Sequence, residues 1–488
     1  MRDMVVLINL DGAACRSTAR KLRAEHIYCK ILPPEATGAD VRAQEALGIL
    51  LSGGDRGEAA FIPHLEELLD SGLPVLGMGD AALTLCTHLG GSLGERADHA
   101  QVAQLHYDAE DPLFAQVEDG ERYLPALRAM TPPEGATVIA RAEAGALGIR
   151  DAGRPVYALA FQAEQNDPDG VQLLINFCKT ICGCTLWWSN QTFMERARQE
   201  IERLAEGGEA VCALSGGVDS GVCAVLGNMA LGHRLHCIFV DTGLLRKGEG
   251  DRVMAYYKGD VGLNLKRIDA GDMFLKALAG VRDPAEKEAI IFRLLKSILE
   301  KEVAALPGVR LILQGTNYSD TLSRKVQFPL APANESVRMA EPVRELFKDE
   351  IRRVGEELGL PTMIIQRQPF PGSGLALRIL GEVTEERLNI LREADAAFRE
   401  EIEQSGQSKR LWQYYATLAM DPLPGHEDRY IVTLRAVQAA EGSAATASRL
   451  PYDLLERVCQ SIRQRTPQVR RILYDLTPSS NYSETDWR

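Results

Sequence analysis

The sequence is most informative first in what it lacks. No apolar run approaches the roughly 20 residues that a helix needs to cross a bilayer, so a membrane span is not expected. The first residues, MRDMVVLINLDG, read as a strand and turn and lack the basic flank, long apolar stretch and small-residue cleavage site of a secretory leader. Positive charge is in deficit: 55 Lys and Arg stand against 68 Asp and Glu, a formal net charge of -13. Such a surface repels phosphate backbones, which argues against general nucleic-acid binding but not against a local basic pocket for one nucleotide. The ten cysteines are scattered, mostly inside apolar segments, as in a reducing compartment, so a cytoplasmic setting is expected. Cys182-Gly-Cys184 is the one tight pair, and with no second pair or histidine cluster beside it zinc is not expected. There is no internal repeat and no low-complexity tract.

With 488 residues, 45% apolar and 25% charged, the chain has material for more than one hydrophobic core. Short β-branched runs at 4–9, 27–32, 48–51 and 74–78 alternate with helical patterns at 17–24 and 81–89. That alternation predicts a parallel sheet covered by helices. The unit closes near Cys184, and Thr185 to Asn190 (TLWWSN) reads as a seam before a helix at 194–205. A second α/β unit has predicted strands at 210–214, 235–241, 263–269 and 310–314. Pro369 to Gly374 (PFPGSG) is a sharp turn, and the remainder has the pattern of a small α+β domain: two helical stretches, a strand at 430–436, a helix at 453–465 and a strand at 470–476.

Chemistry concentrates at Ser215-Gly216-Gly217-Val218-Asp219-Ser220, between an apolar strand and a helix. Two glycines allow a tight turn that aims N–H groups at an anion, and the helix adds the positive end of its dipole. Ser215 and Ser220 add hydroxyls, and Asp219 suits a magnesium ion held against phosphate. No lysine follows the glycines, so this is not a Walker A loop. A glycine-rich turn with Asp219 as helix cap is the simpler alternative.

SGGVDS resembles the pyrophosphate loop of the N-type ATP pyrophosphatases, and its neighbours narrow the resemblance to the GMP synthase family. Phe239 to Arg246 (FVDTGLLR) is similar to the family's FVDNGLLR, and Leu313 to Asp320 (LQGTNYSD) to its AQGTIYPD. Glu341 to Glu350 (EPVRELFKDE) matches EPLRELFKDE, and Phe370 to Val383 resembles FPGPGLAVRILGEV. The resemblance covers nearly the whole chain. It implies a flavodoxin-like class I glutamine amidotransferase domain at 1–185, an adenine-nucleotide hydrolase-like ATP pyrophosphatase domain at 190–367, and a small α+β dimerisation domain at 368–488. It further implies ATP and Mg²⁺ as cofactors and a homodimer. Ser215 to Ser220, Val240 and Gly315 would bind ATP, Asp219 the metal, and Asp219, Ser220, Asp320 and Lys325 would serve the chemistry. Arg246, Arg324 and Asp486 would meet a nucleotide-like substrate.

Five elements depart from the family pattern. The amidotransferase elbow, G-x-C-x-G, reads Gly77-Met78-Gly79-Asp80-Ala81, and the family's FHPE reads Phe161-Gln162-Ala163-Glu164. Thioester chemistry needs a thiolate and a base, and Gly79 and Gln162 supply neither, leaving only Glu164 of the set. Cys86, His88, His99 and His106 are read as core or surface residues, not displaced catalysts. The substrate loop lacks the family's K-S-H-H-N, leaving Arg324 and Lys325 as candidate cations, and the family's P-V-R-S-V-G and K-P-P-x-T-I-E-W-E segments are also lost. The expected activity is adenylation of a carbonyl oxygen, on XMP or a related compound, followed by amination from free ammonia, an amine or a separate ammonia-supplying protein. A paralogue with another substrate, a sulfur-transferring relative and a non-catalytic regulator are the alternatives.

Overall fold

The computed structural model describes residues 3–97, 99–163, 168–323, 337–423, 429–438 and 446–478. It divides into two compact units, Met1–Phe193 and Met194–Arg488. Among the described residues, no helix is long and apolar enough to cross a membrane.

The first unit is built on five parallel strands in the order Cys29–Leu32, Val5–Asn9, Gly48–Ser52, Val75–Met78 and Val156–Leu159. By chain order this is the 2-1-3-4-5 arrangement of flavodoxin-like sheets. Val5–Asn9 and Gly48–Ser52 are buried almost throughout, which explains their unbroken apolar runs. Helix Gly12–Ala24 starts at Asp11, whose carboxylate accepts from the amides of Ala13 and Ala14 at 3.0 Å. Beyond the parallel core the sheet continues as antiparallel strands between Ser92 and Arg150, bringing the total to eleven. The sequence pattern does not predict this extension, because strands such as Ser92–Arg96 and Gln101–Tyr107 are largely exposed and carry no apolar alternation. The TLWWSN segment is packed, not loose: Trp188 stacks on Tyr28 at 4.7 Å and its amide donates to the His26 carbonyl.

In the second unit five parallel strands run in the order Leu265–Asp269, Leu235–Asp241, Glu209–Ala213, Val309–Leu313 and Arg338–Ala340. The chain order is 3-2-1-4-5, so the sheet reverses direction of growth at Glu209–Ala213. Ligands of open parallel sheets bind at the carboxyl ends of strands where such a reversal occurs. Downstream, Ile379–Leu380, Gln413–Met420, Tyr430–Gln438 and Thr446–Ala447 form a second sheet, with Val469–Tyr474 pairing with Tyr430–Gln438 and helices Glu385–Gln404 and Tyr452–Arg465 alongside in sequence. One hydrophobic core spans both parts: Leu244, Phe274 and Ile291 pack in the same cluster as Leu391, Phe398, Val432 and Val458.

Candidate active site

The phosphate-loop segment takes the strand–turn–helix form that its sequence predicts. Strand Glu209–Ala213 ends just before Ser215, and helix Val218–Leu231 begins after Gly217, with no side chain capping it. The first-turn amides of a helix have no intrahelical acceptors and face outward along the axis. Gly216 has φ +76°, the left-handed region where a side chain is strained. The Ser215 and Ser220 hydroxyls lie 2.9 Å apart, the Ser220 hydroxyl accepts from the Ser215 amide at 3.2 Å, and the Gly217 amide donates to the Ser215 hydroxyl at 3.3 Å. This cross-bonding fixes the loop as a closed cup.

Asp219 sits at the rim. Lys348, from helix Lys348–Glu357, pairs with its Oδ2, and Asn317 Nδ2 donates to the same oxygen at 3.5 Å. Its Oδ1 is buried with no hydrogen-bond partner. Leaving a buried acceptor unpaired is unfavourable by about 1–3 kcal/mol, which points to a ligand for that oxygen. The Thr316 hydroxyl, also on the segment after Val309–Leu313, is buried and unpaired as well. Gly315 lets that segment approach the loop: a Cβ there would lie 2.8 Å from the Ser220 nitrogen and 2.9 Å from the Asp219 carbonyl carbon.

Asn317 and Asp320 cap helix Tyr318–Ser323 reciprocally. The Asn317 amide donates to Asp320 Oδ2 at 3.0 Å and the Asp320 amide donates to Asn317 Oδ1 at 3.1 Å. Burial raises the Asp320 pKa and the neighbouring Asp219 charge pushes it further up, while the Asn317 amide and Lys348 act the other way. The structure thus gathers Ser215, Gly216, Gly217, Val218, Asp219, Ser220, Gly315 and Asp320 at one place. Val240 lies near the end of the adjacent strand Leu235–Asp241, half-buried against the core. Sequence reasoning alone misses Lys348 and Asn317. Lys348 lies in the matched EPVRELFKDE segment with no role that its spacing reveals, and Asn317 stands where the quoted family motif has isoleucine.

Magnesium fits this donor set. Among the described residues no cluster of three or more His, Cys, Asp or Glu side chains could enclose a metal. Magnesium typically takes one or two carboxylates and completes its shell with substrate phosphates and water. The unpaired Asp219 Oδ1 beside the amide cup suits that mode.

Arg246 is placed differently from the loop residues. Its side chain is only 5% exposed, lies 4.3 Å over the Phe370 ring and pairs with Asp395 at 3.5 Å. Burial lowers its pKa to about 9 against the pull of Asp395. Its Nε and Nη2 are buried with no hydrogen-bond partner. Arg324, Lys325 and Asp486 lie outside the described residues, as does Glu164.

In the first unit, Gly79 has φ +58° and ψ -128° between Val75–Met78 and helix Asp80–His88. A Cβ there would come within 2.3 Å of the Gly54 carbonyl oxygen and 2.7 Å of Gln162 Nε2. Gln162 is buried and its amide donates to the Gly53 carbonyl. Asp80 Oδ1 accepts from the amides of Arg56, Gly57 and Glu58 at 2.9–3.2 Å. Cys86 is a core thiol, its Sγ donating to the Thr131 and Ser92 carbonyls, with burial raising its pKa. His88 and His106 pair with Glu66 and Asp119.

A sequence profile described as the GMP synthase C terminal domain matches residues 400–482. A relative from Caldicellulosiruptor saccharolyticus, named a glutamine-hydrolyzing GMP synthase, is 37% identical over 504 aligned positions, covering 97% of this chain and 98% of its own. A Clostridium perfringens protein of the same name is 37% identical with 98% of both chains covered, and one from Clostridium novyi is 35% identical, covering 98% and 97%. A solved Thermoplasma acidophilum structure, described as a GMP synthase component, covers 38% of this chain and 95% of its own at 21% identity and TM-score 0.31, too loose a likeness to carry weight.

Proposed function

Because the chain belongs to the GMP synthase family, we propose that it is an ATP-dependent, AMP-forming ligase whose own first unit does not release ammonia from glutamine. The observation that carries the ligase half is the cup of Ser215 to Ser220 with an unpaired, buried Asp219 oxygen at its rim. That oxygen is poorly placed for stability and well placed for a metal–polyphosphate ligand. It also weighs against a non-catalytic regulator.

In this reading the cup's amides and the two serine hydroxyls hold the departing pyrophosphate, and Lys348 balances its charge. Val240 and the Gly315 segment border the adenosine. Magnesium, when bound through Asp219, neutralises charge on the polyphosphate. The substrate's carbonyl oxygen attacks the α-phosphorus, pyrophosphate leaves, and a nitrogen nucleophile then displaces AMP. Asp320 and Asn317 hold the Asp219 side of the cup in place. Lys325 is kept as a candidate for the chemistry, and Arg324, Arg246 and Asp486 as candidates for substrate contact. We keep the three-part division at 1–185, 190–367 and 368–488, with a homodimer formed through the last part and the cytoplasm as the setting.

The nitrogen source is free ammonia, an amine or a separate ammonia-supplying protein. Gly79 carries no thiol, Gln162 no basic nitrogen, and the space over Gly79 is taken by the Gly54 carbonyl and the Gln162 amide. A second reading, adenylation of a compound other than XMP, is favoured by the loss of three sequence elements that would hold a nucleotide phosphate. Steady-state turnover of XMP with ammonium and MgATP separates the two. A Michaelis constant in the micromolar range assigns XMP, whereas pyrophosphate release only with another carbonyl compound assigns the paralogue.

A further inference from the structure

A second cation reaches the phosphate cup. Arg367 comes from the segment just before the Pro369 turn, and its Nη1 lies 3.6 Å from where a Cβ on Gly217 would stand. The residue is held on two sides. Its Nη2 pairs with Glu249 Oε1 at 2.5 Å, and its guanidinium lies 5.3 Å from the centre of the Phe370 ring. Glu249 in turn accepts from the Arg246 amide at 3.2 Å through its other oxygen. The side chains of Arg367 and Glu249 are only 17% and 11% exposed, and Arg367 Nε is buried with no hydrogen-bond partner. Burial works to raise the Glu249 pKa, but Arg367 and Arg246 more than offset it, so the net shift is downward.

We propose that Arg367 is a phosphate-binding residue of the cup, with Glu249 as its resting partner, and that the anion it takes is the pyrophosphate portion of ATP. This rests on the reading of Ser215 to Ser220 as a pyrophosphate cradle. The charge logic supports it. A polyphosphate carries several negative charges, and Lys348 on the Asp219 side balances one of them. Lys348 is neutralised at rest by Asp219, and Arg367 is neutralised at rest by Glu249. The cup is thus flanked by two ion pairs whose cations can turn to an arriving anion while their carboxylates remain. Arginine suits the task, since its planar fork donates to two phosphate oxygens while stacked on an aromatic ring. Gly217, lacking a side chain, leaves the approach open.

The test is calorimetric titration of the purified full-length protein with magnesium pyrophosphate, and separately with XMP. Arg367→Met should weaken pyrophosphate binding roughly tenfold to hundredfold, the loss of a charge-assisted contact, and Arg367→Lys should recover part of it. Glu249→Gln keeps the acceptor for the Arg246 amide but removes the competing charge, so it should tighten pyrophosphate binding. A purely structural ion pair would make both substitutions weaken it, and that result overturns the inference. So does an unchanged affinity in Arg367→Met, or a loss confined to XMP, which would assign the arginine to the second substrate. Failure of the unaltered protein to bind pyrophosphate would overturn the cradle reading itself and this inference with it. Thermal melts of each variant establish that it is folded, and Arg367→Lys serves as the probe should Arg367→Met not fold.

Discussion

In the proposed reading, Asp219 is held in a state that favours function over stability. One carboxylate oxygen faces Lys348 and Asn317 while the other is buried and unpaired. Asp219→Asn should reduce pyrophosphate release by at least roughly a hundredfold, because charge on the transferring group would go uncompensated. Its melting temperature should stay within a few degrees of the parent, since the amide keeps an oxygen for Lys348 and Asn317 and an uncharged group is less unfavourable to bury than a carboxylate. Activity retained in a folded variant would remove the assigned role. Gly315→Ala tests the close approach behind the cup. Its methyl would meet backbone atoms of Ser220 and Asp219 at 2.8 and 2.9 Å, where no rotamer change relieves the clash. The expected result is a loss of about 1–3 kcal/mol of stability with a further loss of ATP binding, read by denaturation and titration. Asn317→Ile, which installs the residue of the quoted family motif, should lower stability by about 1 kcal/mol through the lost cap.

At the scale of elements, parallel strands were legible because both their faces are buried and their apolar runs are short and bounded. Strand Leu235–Asp241 and helix Val218–Leu231 fall where composition puts them, and SGGVDS sits between strand and helix as its glycines require. The antiparallel strands from Ser92 to Arg150 were not legible, since half-exposed strands with mixed side chains leave no periodic signal. Gln413–Met420 was missed for the opposite reason: buried nearly end to end, its run of apolar residues looks the same as a buried helix. The site was legible wherever one motif holds it, and illegible where a residue arrives from a distant element, as Lys348 and Arg367 do. Helix Pro284–Ala304 offers a pH test of one such long-range tie. Lys287 is buried and donates to the carbonyls of Ala376 at 3.2 Å and Ile379 at 2.7 Å, and burial lowers its pKa from 10.5 to about 8. The unfolded chain therefore holds this proton more tightly than the folded one between pH 8 and 10.5. Stability contributed by this group must rise with pH across that window. Denaturation of the parent and Lys287→Met at about pH 7.5 and about pH 10 should show the parent gaining relative to the variant; a constant difference would mean that the lysine is not perturbed.

For the whole molecule, two claims go beyond any single site. One is assembly. In the proposed reading the last part, from about Phe370, forms the dimer contact, and light scattering at micromolar concentration should give about twice the 53.5 kDa chain mass. A monomer mass would remove the dimer. The other is the proposed separation of ligase and glutaminase within one chain: the Ser215 to Ser220 cup in the second unit read as a phosphate site, and in the first an elbow whose nucleophile position is Gly79. The most direct measurement follows pyrophosphate and glutamate together, with MgATP, XMP or the substrate found for it, and either ammonium or glutamine as nitrogen donor. The account predicts pyrophosphate release with ammonium, none above the blank with glutamine, and no glutamate in either case. Glutamate formed in step with pyrophosphate when glutamine is the donor would contradict it.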